Sequence, residues 1–410
     1  MPARVIACPF CGLVCDDLIV GEGGVDTRGC AKAAAGFARP SGSGEHRIGG
    51  RAVSLEKAVA AAAEILSAAR LPLVTGLSAD LAGLRALLAL ADRAGAIVDR
   101  WRSSAQLGNV AVMQRTGGLT ATFGEIANRA DAVLLLGRDP TPEYPRLVER
   151  LLRNRTALYR NAPPWVGYLG PAAGAPADTS PGAKILVDAP LLLEALGALA
   201  ALIRGRRITG GAGGELPLEA LRELAQRLGV ARYGAIVWDT AAFPAGDAAL
   251  SVEMLVHILR MLNRETRCVG LPLGGSDNAQ GAAQAMLWQT GWPMRVSFAA
   301  GTPEHDPWRL DAERLLEAGE TDALLWVAVL SLSPPPAATV PTIALVAPDV
   351  VLPKASAVEI RIGIPGIDHA GAVTRADGVI TLPLAASRAS PLPSVAAVSA
   401  AILDRLGPAS

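Results

Sequence analysis

The chain has 410 residues, of which 51% are hydrophobic and only 4% are aromatic, and its 38 basic residues balance its 38 acidic residues. This length provides for two or three domains with a large buried core, and the lack of a basic surplus argues against nucleic acid or an acidic membrane as a partner. Four of the five cysteines lie near the N-terminus, which favours metal binding in a reducing compartment over disulfides. Without an apolar leader or a run long enough to span a bilayer, we expect a cytoplasmic protein.

The N-terminal cysteines are Cys8, Cys11, Cys15 and Cys30, in the pattern C-x2-C-x3-C-x14-C. Four thiols at such spacing can converge on one metal centre, because four-cysteine sites hold either Zn²⁺ or an iron–sulfur cluster. A structural zinc site usually has two C-x2-4-C pairs, so three cysteines followed by a lone fourth favour a [4Fe–4S] cluster. Zinc, and a lobe that binds no metal, stay open as alternatives.

The first part of the chain alternates between helical and strand patterns. Ser54 is typical of a helix N-cap, and the apolar residues after it recur at helical spacing. We therefore expect a small four-cysteine lobe, residues 1–52, and a first α/β domain, residues 53–160. The elements expected in them are strands at 4–7 and 17–20, a helix at 54–70, a strand at 71–75, a helix at 79–94, and strands at 96–99 and 131–137.

A stretch rich in Pro, Gly and Ala, residues 161–215, predicts a connector with one short strand at 184–187. It contains the segment Arg204–Gly214, whose basic residues either bind an anion or form a solvated loop, which is the simpler interpretation. The alternating pattern returns in a second α/β domain, residues 216–349, and a C-terminal segment, residues 350–410, closes the cleft. The later elements expected are helices at 216–228, 252–263, 309–318 and 394–406, and strands at 234–239, 267–271, 322–330 and 342–347.

Strands that alternate with helices predict an α/β fold with parallel sheets covered on both faces. Both α/β stretches enter a strand through an aspartate, Asp131 or Asp322, and leave it through a polar turn that ends in Pro. We therefore expect two Rossmann-like halves that face each other across a cleft. Ligands of open α/β sheets bind at the carboxyl ends of the strands, so the cleft is the expected binding site.

Several stretches resemble the B-type chain of formylmethanofuran dehydrogenase, a member of the molybdopterin oxidoreductase-like proteins. In that family a Cys-x-Lys step, here Cys30-Ala31-Lys32, places a lysine between an iron–sulfur cluster and a pterin. The resemblance therefore implies a cluster in the N-terminal lobe and places Lys32 on the pterin side. The stretches that carry it occur in order along nearly the whole chain: C-P-F-C-G-L-V-C-D-D at 8–17, F-G-E-I-A-N-R-A-D-A-V-L-L-L-G-R-D-P at 123–140, W-Q-T-G-W-P at 288–293 and G-I-D-H-A-G-A-V-T-R-A-D-G-V at 366–379.

The resemblance breaks down at the residues that serve a redox metal. The family binds tungsten or molybdenum through two pterins and the Cys or selenocysteine of a C-H-G-P motif, and the matching region here is Ser103–Gln106. A second family signature, R-G-H-Y-N-V-x-G, falls on Gly274–Gly281, where Gly and Ser replace the Arg and the His while Asn278 and Gly281 remain. A thiolate sets the potential of the metal, and the His and Arg position formate or CO₂. The loss of all three implies a site without redox chemistry and without tungsto- or molybdopterin.

The resemblance thus implies a non-redox, structural B-type subunit. A related bacterial formyltransferase/hydrolase complex handles formyl groups on a methanofuran-like carrier and releases formate, as part of the oxidation of formaldehyde to formate. There a B-type subunit would hold the A-, C- and D-type subunits, and Lys32, Asn278 and Gly281 would be remnants of the pterin side. Two alternatives stay open. One is an active tungsten- or molybdenum-pterin subunit that interconverts CO₂ and formate, and the other is an independent α/β protein with a zinc-binding lobe.

Other reactive residue types have simpler interpretations. Cys268 lies in an apolar run and is expected to be a core thiol, and His369 is expected to be structural. Arg375 and Asp377 either bind a residual ligand or pair with each other.

Overall fold

The computed structural model describes residues 4–40, 44–152, 158, 161–176, 182–208, 216–244 and 246–407. Its contacts divide the chain into two compact units. Unit 1 comprises residues 1–103 and 275–410, and unit 2 comprises residues 104–274. Unit 2 is therefore an insertion in the sequence of unit 1, and this division differs from the succession of domains expected at 53–160 and 216–349.

The described residues contain strands β1 (Arg4–Ile6), β2 (Leu18–Gly21), β3 (Gly24–Asp26), β4 (His46–Ile48), β5 (Arg51–Val53), β6 (Pro72–Ser78), β7 (Ile97–Val98), β8 (Ala132–Leu136), β9 (Trp165–Gly170), β10 (Lys184–Leu186), β11 (Gly234–Trp238), β12 (Cys268–Pro272), β13 (Val296–Ser297), β14 (Glu304–His305), β15 (Ala323–Ala328), β16 (Thr342–Val346), β17 (Val358–Arg361), β18 (Gly371–Thr374) and β19 (Thr381–Leu384). The α-helices are α1 (Ala31–Phe37), α2 (Leu55–Ala68), α3 (Leu81–Arg93), α4 (Ser104–Thr116), α5 (Phe123–Arg129), α6 (Leu192–Ile203), α7 (Leu218–Val230), α8 (Ala248–Leu262), α9 (Ala279–Thr290), α10 (Ala312–Glu317) and α11 (Val395–Leu406).

Unit 1 is built on a nine-stranded sheet with the order β14-β13-β7-β6-β15-β16-β17-β4-β5. Its five central strands, from β7 to β17, are parallel, and the strands at both edges pair antiparallel. β6 and β15 are buried along almost their whole length, which explains their continuous apolar sequences. From β6 the chain adds β7 on one side and later β15 on the other, so the order of strands reverses between β6 and β15. Such a reversal opens a crevice at the carboxyl ends of the two strands.

Unit 2 contains a five-stranded parallel sheet with the order β10-β9-β8-β11-β12. Helices α6, α7 and α8 bury their leucines against it in one apolar cluster. Cys268 lies inside that cluster, fully buried, and burial raises the pKa of its thiol to about 12. The expected role of Cys268 as a core thiol is thereby confirmed.

In each of the two large sheets, an aspartate joins the starts of two neighbouring parallel strands through hydrogen bonds to the backbone. The Asp131 carboxylate, just before β8, accepts hydrogen bonds of 2.9 and 3.0 Å from the backbone N–H groups of Arg232 and Tyr233, just before β11. In unit 1 the Asp322 carboxylate, just before β15, accepts bonds of 2.7 and 2.9 Å from the N–H groups that precede β6. Asp131 and Asp322, which the sequence singled out, therefore have the same structural role: each bonds to the backbone just before the neighbouring parallel strand.

The expected α/β class with parallel sheets is confirmed, whereas an arrangement of two halves that face a cleft stays a prediction. The sequence did not predict α6, α9 or β9. Residues 161–215, expected to be a connector, contribute β9, β10 and α6 to unit 2, while 177–181 and most of Arg204–Gly214 lie outside the described residues. Among the helices that the structure describes, none is both long and apolar enough to cross a membrane.

Candidate functional site

The four-cysteine lobe is a three-stranded antiparallel sheet, β1-β2-β3, followed by α1. The backbone N–H of Cys8 donates to the carbonyl of Cys15 at 2.9 Å, which closes the loop that carries the first three cysteines. Cys30 occupies the N-cap position of α1, and its carbonyl accepts the N–H of Ala34 at 2.9 Å. All four side chains are buried, and none of the four cysteines forms a disulfide.

Tight packing fixes this lobe within unit 1. A Cβ atom on Gly36 would lie 2.3 to 2.5 Å from the ring of Phe10, so α1 and the cysteine loop approach as closely as a glycine allows. Arg39, just after α1, makes a bidentate ion pair with Asp349 at 2.7 and 2.8 Å. The same guanidinium donates to the carbonyls of Val329 and Leu330 at 3.2 Å, which joins the lobe to the chain just beyond β15.

Burial favours the neutral form of the Cys8 and Cys11 thiols. Burial raises the pKa of Cys8, and the neighbouring Cys11, Cys15 and Cys30 raise it further. Burial also raises the pKa of Cys11, against the lowering effects of the Leu13 N–H and the Lys32 charge. Within the described ranges, no three Cys, His, Asp or Glu side chains are arranged to hold a metal ion. The four thiols supply the soft donor set that iron and zinc require, and they lie near enough to one another for Cys11, Cys15 and Cys30 to raise the pKa of Cys8. Metal binding by the lobe stays a prediction.

Lys32 lies on the second residue of α1, where its charge acts on the Cys11 thiol. The structure therefore places Lys32 beside the cysteine loop. Its role on a pterin side stays a prediction.

Asn278 and Gly281, the retained residues of the second signature, lie at the start of α9, where the buried Asn278 side chain links three segments of unit 1. The Asn278 amide donates to the carbonyl of Ala79 and its oxygen accepts the N–H of Thr374, both at 2.8 Å. A Cβ atom on Gly281 would lie 2.3 to 2.6 Å from the Asn278 side chain, so only glycine leaves room for it. These bonds join α9, the turn after β6 and β18, and they give both residues a structural reason to be present.

Ser103, the first residue of the stretch that matches C-H-G-P, belongs to a buried ion-pair network. Its hydroxyl donates to the Asp99 carboxylate at 3.0 Å and accepts from Arg295 Nε at 3.1 Å. Arg295 also pairs with Asp99 at 3.6 Å and with Asp311. The N–H of Ala312 donates to Asp99 at 3.1 Å. Burial raises the pKa of Asp99 to about 7, although Arg295 acts in the opposite direction.

A crevice of about 190 Å³ lies at the carboxyl ends of β6 and β15, where the order of strands reverses. Gly76 adopts a φ of 82°, and a Cβ there would lie 2.5 Å from the carbonyl oxygen of Val327. The register between β6 and β15 shifts at this point, and the bulge shapes the floor of the crevice. Arg100, Arg102 and Asp277 line it together with serine hydroxyls, so the crevice suits a small polar group.

The remaining expectations have plain outcomes. Arg375 and Asp377 pair with each other through hydrogen bonds of 2.7 to 3.1 Å. The ring nitrogens of His369 lie 2.8 and 3.1 Å from the carbonyl oxygens of Ala370 and Gly363, in agreement with a structural role. The partnership of Asp99 with Arg295 was not foreseen, although a polar residue at the end of a buried strand was a usable signal.

Comparison with known proteins defines the class of this fold. No protein-family model matches the chain. The B-type chain of the tungsten-containing formylmethanofuran dehydrogenase 2 from Methanocaldococcus jannaschii is 27% identical over 79% of the chain and 78% of its own length. The corresponding protein from Methanococcus maripaludis is also 27% identical, over 79% of the chain and 78% of its own length.

A second comparison is more specific. The B-type chain of the formyltransferase/hydrolase complex Fhc from Methylorubrum extorquens is 33% identical over 88% of the chain and 96% of its own length. A chain in the crystal structure of the FhcABCD complex from M. extorquens with methylofuran superposes with a TM-score of 0.73 and 31% identity, covering 88% of this chain and 98% of that one. The chain therefore belongs to the family of B-type subunits of formyltransferase/hydrolase complexes, to which the B-type subunits of formylmethanofuran dehydrogenase are more distantly related.

Proposed function

We propose that the chain is a non-redox, structural B-type subunit of a formyltransferase/hydrolase complex in the oxidation of formaldehyde to formate. It holds A-, C- and D-type subunits that act on formyl groups carried by a methanofuran-like molecule. The likeness to a chain of the FhcABCD complex supports this assembly. None of the described cysteines forms a disulfide, which is in keeping with a cytoplasmic location.

The observation that carries the proposal is that the Ser103 hydroxyl is already engaged in two buried hydrogen bonds. A redox metal needs a thiolate there, but the serine hydroxyl is already engaged as donor to Asp99 and as acceptor from Arg295. Freeing this position would break the two buried hydrogen bonds that join the hydroxyl to Asp99 and Arg295, and a hydrogen bond to a charged group contributes about 1.5–3 kcal/mol. The network therefore stabilises unit 1 in a form that leaves no ligand for a metal at this position.

The size of the crevice also supports a non-redox role. Its volume of about 190 Å³ is below the roughly 300–1,000 Å³ typical of sites for small molecules and cofactors. A metal with two pterins would need considerably more space than this crevice provides. The relatives from tungsten-containing dehydrogenases are more distant than the Fhc relative, which favours the non-redox subunit over an active dehydrogenase subunit, and tungsto- or molybdopterin is not part of the proposal. A [4Fe–4S] cluster in the N-terminal lobe is kept as a structural element without a redox partner in this chain.

The test is anaerobic purification of the affinity-tagged full chain from its own host, followed by mass spectrometry and analysis for Fe, Zn, W and Mo. We expect A-, C- and D-type subunits in constant ratio to the chain, without W or Mo. Tungsten or molybdenum at about one atom per chain would replace the proposal with that of an active dehydrogenase subunit. A monomer with one zinc ion and no co-purified subunits would instead identify an independent zinc protein.

A further inference from the structure

A cationic cluster on unit 2 has no role in the proposed function. It consists of His257, Arg260 and Arg264, on α8 and just beyond its end, and of Arg204, which follows α6. His257 and Arg260 are three residues apart on α8, and Arg264 follows the end of this helix. The charges of Arg204, Arg260 and Arg264 all act on His257, so the four side chains lie near one another. The three arginines are exposed and His257 is half-buried. The cluster thus presents three guanidinium groups to solvent around one imidazole.

Arg204 is held in place by His257 and Met261. Its Nη2 atom lies 2.6 Å from Nε2 of His257, and its Nε atom lies 2.9 Å from the sulfur of Met261. Burial and then the charges of Arg204, Arg260 and Arg264 lower the pKa of His257. The imidazole is therefore neutral near pH 7, and its Nε2 can accept a hydrogen bond from Arg204 instead of repelling it.

No carboxylate in the described part of the chain forms an ion pair with Arg204, Arg260 or Arg264. The acidic residue one turn before His257 on α8 is Glu253, which pairs with Arg115 at 3.2 Å. Three positive charges that lie near one another repel unless an anion compensates them. The cluster therefore has the charge and the donors of an anion site, and no acidic side chain among the described residues neutralises its guanidinium groups.

We propose that Arg204, Arg260 and Arg264 bind a multivalent oxyanion that carries phosphate or carboxylate groups. Planar guanidinium groups match both kinds of oxyanion through paired N–H donors, and several of them together select for more than one negative charge. His257 acts as a positioning residue, because it orients Arg204 without contributing a charge of its own. This site does not depend on the proposed function and lies wholly within unit 2.

The test uses nuclear magnetic resonance of the full chain labelled with ¹³C in its histidine rings. The chain has only 4 histidines, so the His257 signal is assigned by its loss in H257Q. Pyrophosphate and citrate are titrated separately at constant ionic strength. We expect a saturable shift of the His257 signal, a rise of its pKa in the bound state because the anion offsets the arginine charges, and unchanged signals from the other histidines. Saturation by pyrophosphate alone identifies a phosphate site, and saturation by citrate identifies a polycarboxylate site.

The variant R260Q/R264Q should weaken binding at least about tenfold, because it removes two of the three guanidinium groups that donate charge-assisted hydrogen bonds to the anion. The matched control is R47Q/R51Q, which removes two positive charges from β4 and β5 of unit 1 and should leave the titration unchanged. A shift that is linear with both anions, or equal in R260Q/R264Q and the unchanged chain, would overturn the proposal.

Discussion

Arg295 Nε donates to the hydroxyl of Ser103 at 3.1 Å, across 192 residues of sequence. The bond closes a network in which the guanidinium of Arg295 also faces Asp99 and Asp311. All four side chains belong to unit 1, and three of them are almost completely buried. Removing the positive charge would leave two carboxylates facing each other without compensation.

The first prediction concerns this charge. Arg295→Met should lower the free energy of unfolding by about 3–5 kcal/mol, because it leaves buried carboxylates unpaired. Arg405→Met is the control, since Arg405 forms an exposed pair with Glu56 at 3.3 Å, worth about 0–1 kcal/mol. Urea unfolding followed by circular dichroism measures both. A loss in R295M no larger than that in R405M would mean that the network contributes little.

The second prediction concerns the pH dependence of stability. Burial raises the pKa of Asp99 from 3.8 to about 7, so the folded state binds a proton that the unfolded chain has already released. This contribution to stability is fully present below pH 4 and is lost as the pH rises through about 7. Between pH 5 and 8, Asp99→Asn should therefore flatten the decline in the urea midpoint. Equal slopes for D99N and the unchanged chain would show that Asp99 ionises normally.

The third prediction compares two helical glycines. Gly281→Ala should destabilise the protein by about 1–3 kcal/mol, because the added Cβ displaces the Asn278 side chain and breaks its bonds to Ala79 and Thr374. Gly197, within α6, has open space where an added methyl group would lie, so Gly197→Ala should stabilise by about 0.4–1 kcal/mol. Calorimetric unfolding of both variants gives the signs. The same sign for both would contradict the steric argument.

The fourth prediction concerns the N-terminal lobe. We expect about four iron atoms per chain after anaerobic purification, as required for a [4Fe–4S] cluster. Cys30→Ala should abolish this iron, whereas Cys268→Ala should retain it, because Cys268 lies in the core of unit 2. Elemental analysis and the visible absorption spectrum report both. Iron that is absent from the unchanged chain would favour zinc or an empty lobe, and zinc analysis of the same sample separates these two.

The sequence predicted the elements whose apolar pattern is strong. β6, β8 and β15 are continuous apolar runs, and their expected bounds lie close to the observed ones. It did not predict α9, because the sequence A-Q-G-A-A-Q-A-M-L-W-Q-T is rich in small residues and shows no apolar stripe. Burial of α9 is set by its packing on α3 and β6, which are distant in sequence.

The same limit applies to the candidate site. The sequence predicted the loss of a metal ligand at Ser103–Gln106. It did not predict the contacts of Ser103, because Arg295 and Asp311 are separated from Ser103 in sequence by the whole of unit 2. The retention of Asn278 and Gly281 suggested a remnant of ligand binding. The structure adds a packing role that the sequence did not show: the Asn278 amide bonds to Ala79 and Thr374, and Gly281 leaves room for its side chain.

The interrupted sequence of unit 1 has a consequence for synthesis on the ribosome. Residues 104–274 are contiguous and can complete their own sheet as soon as they emerge. β6 cannot pair with β15 until much later in synthesis, because the Leu71 N–H before β6 donates to Asp322, which lies 251 residues further along the chain. During that interval β6 exposes an apolar, unpaired edge, which is the kind of surface that chaperones shield in nascent chains. Translation that stalls after residue 274 would therefore leave a folded unit 2 attached to an N-terminal segment prone to aggregation.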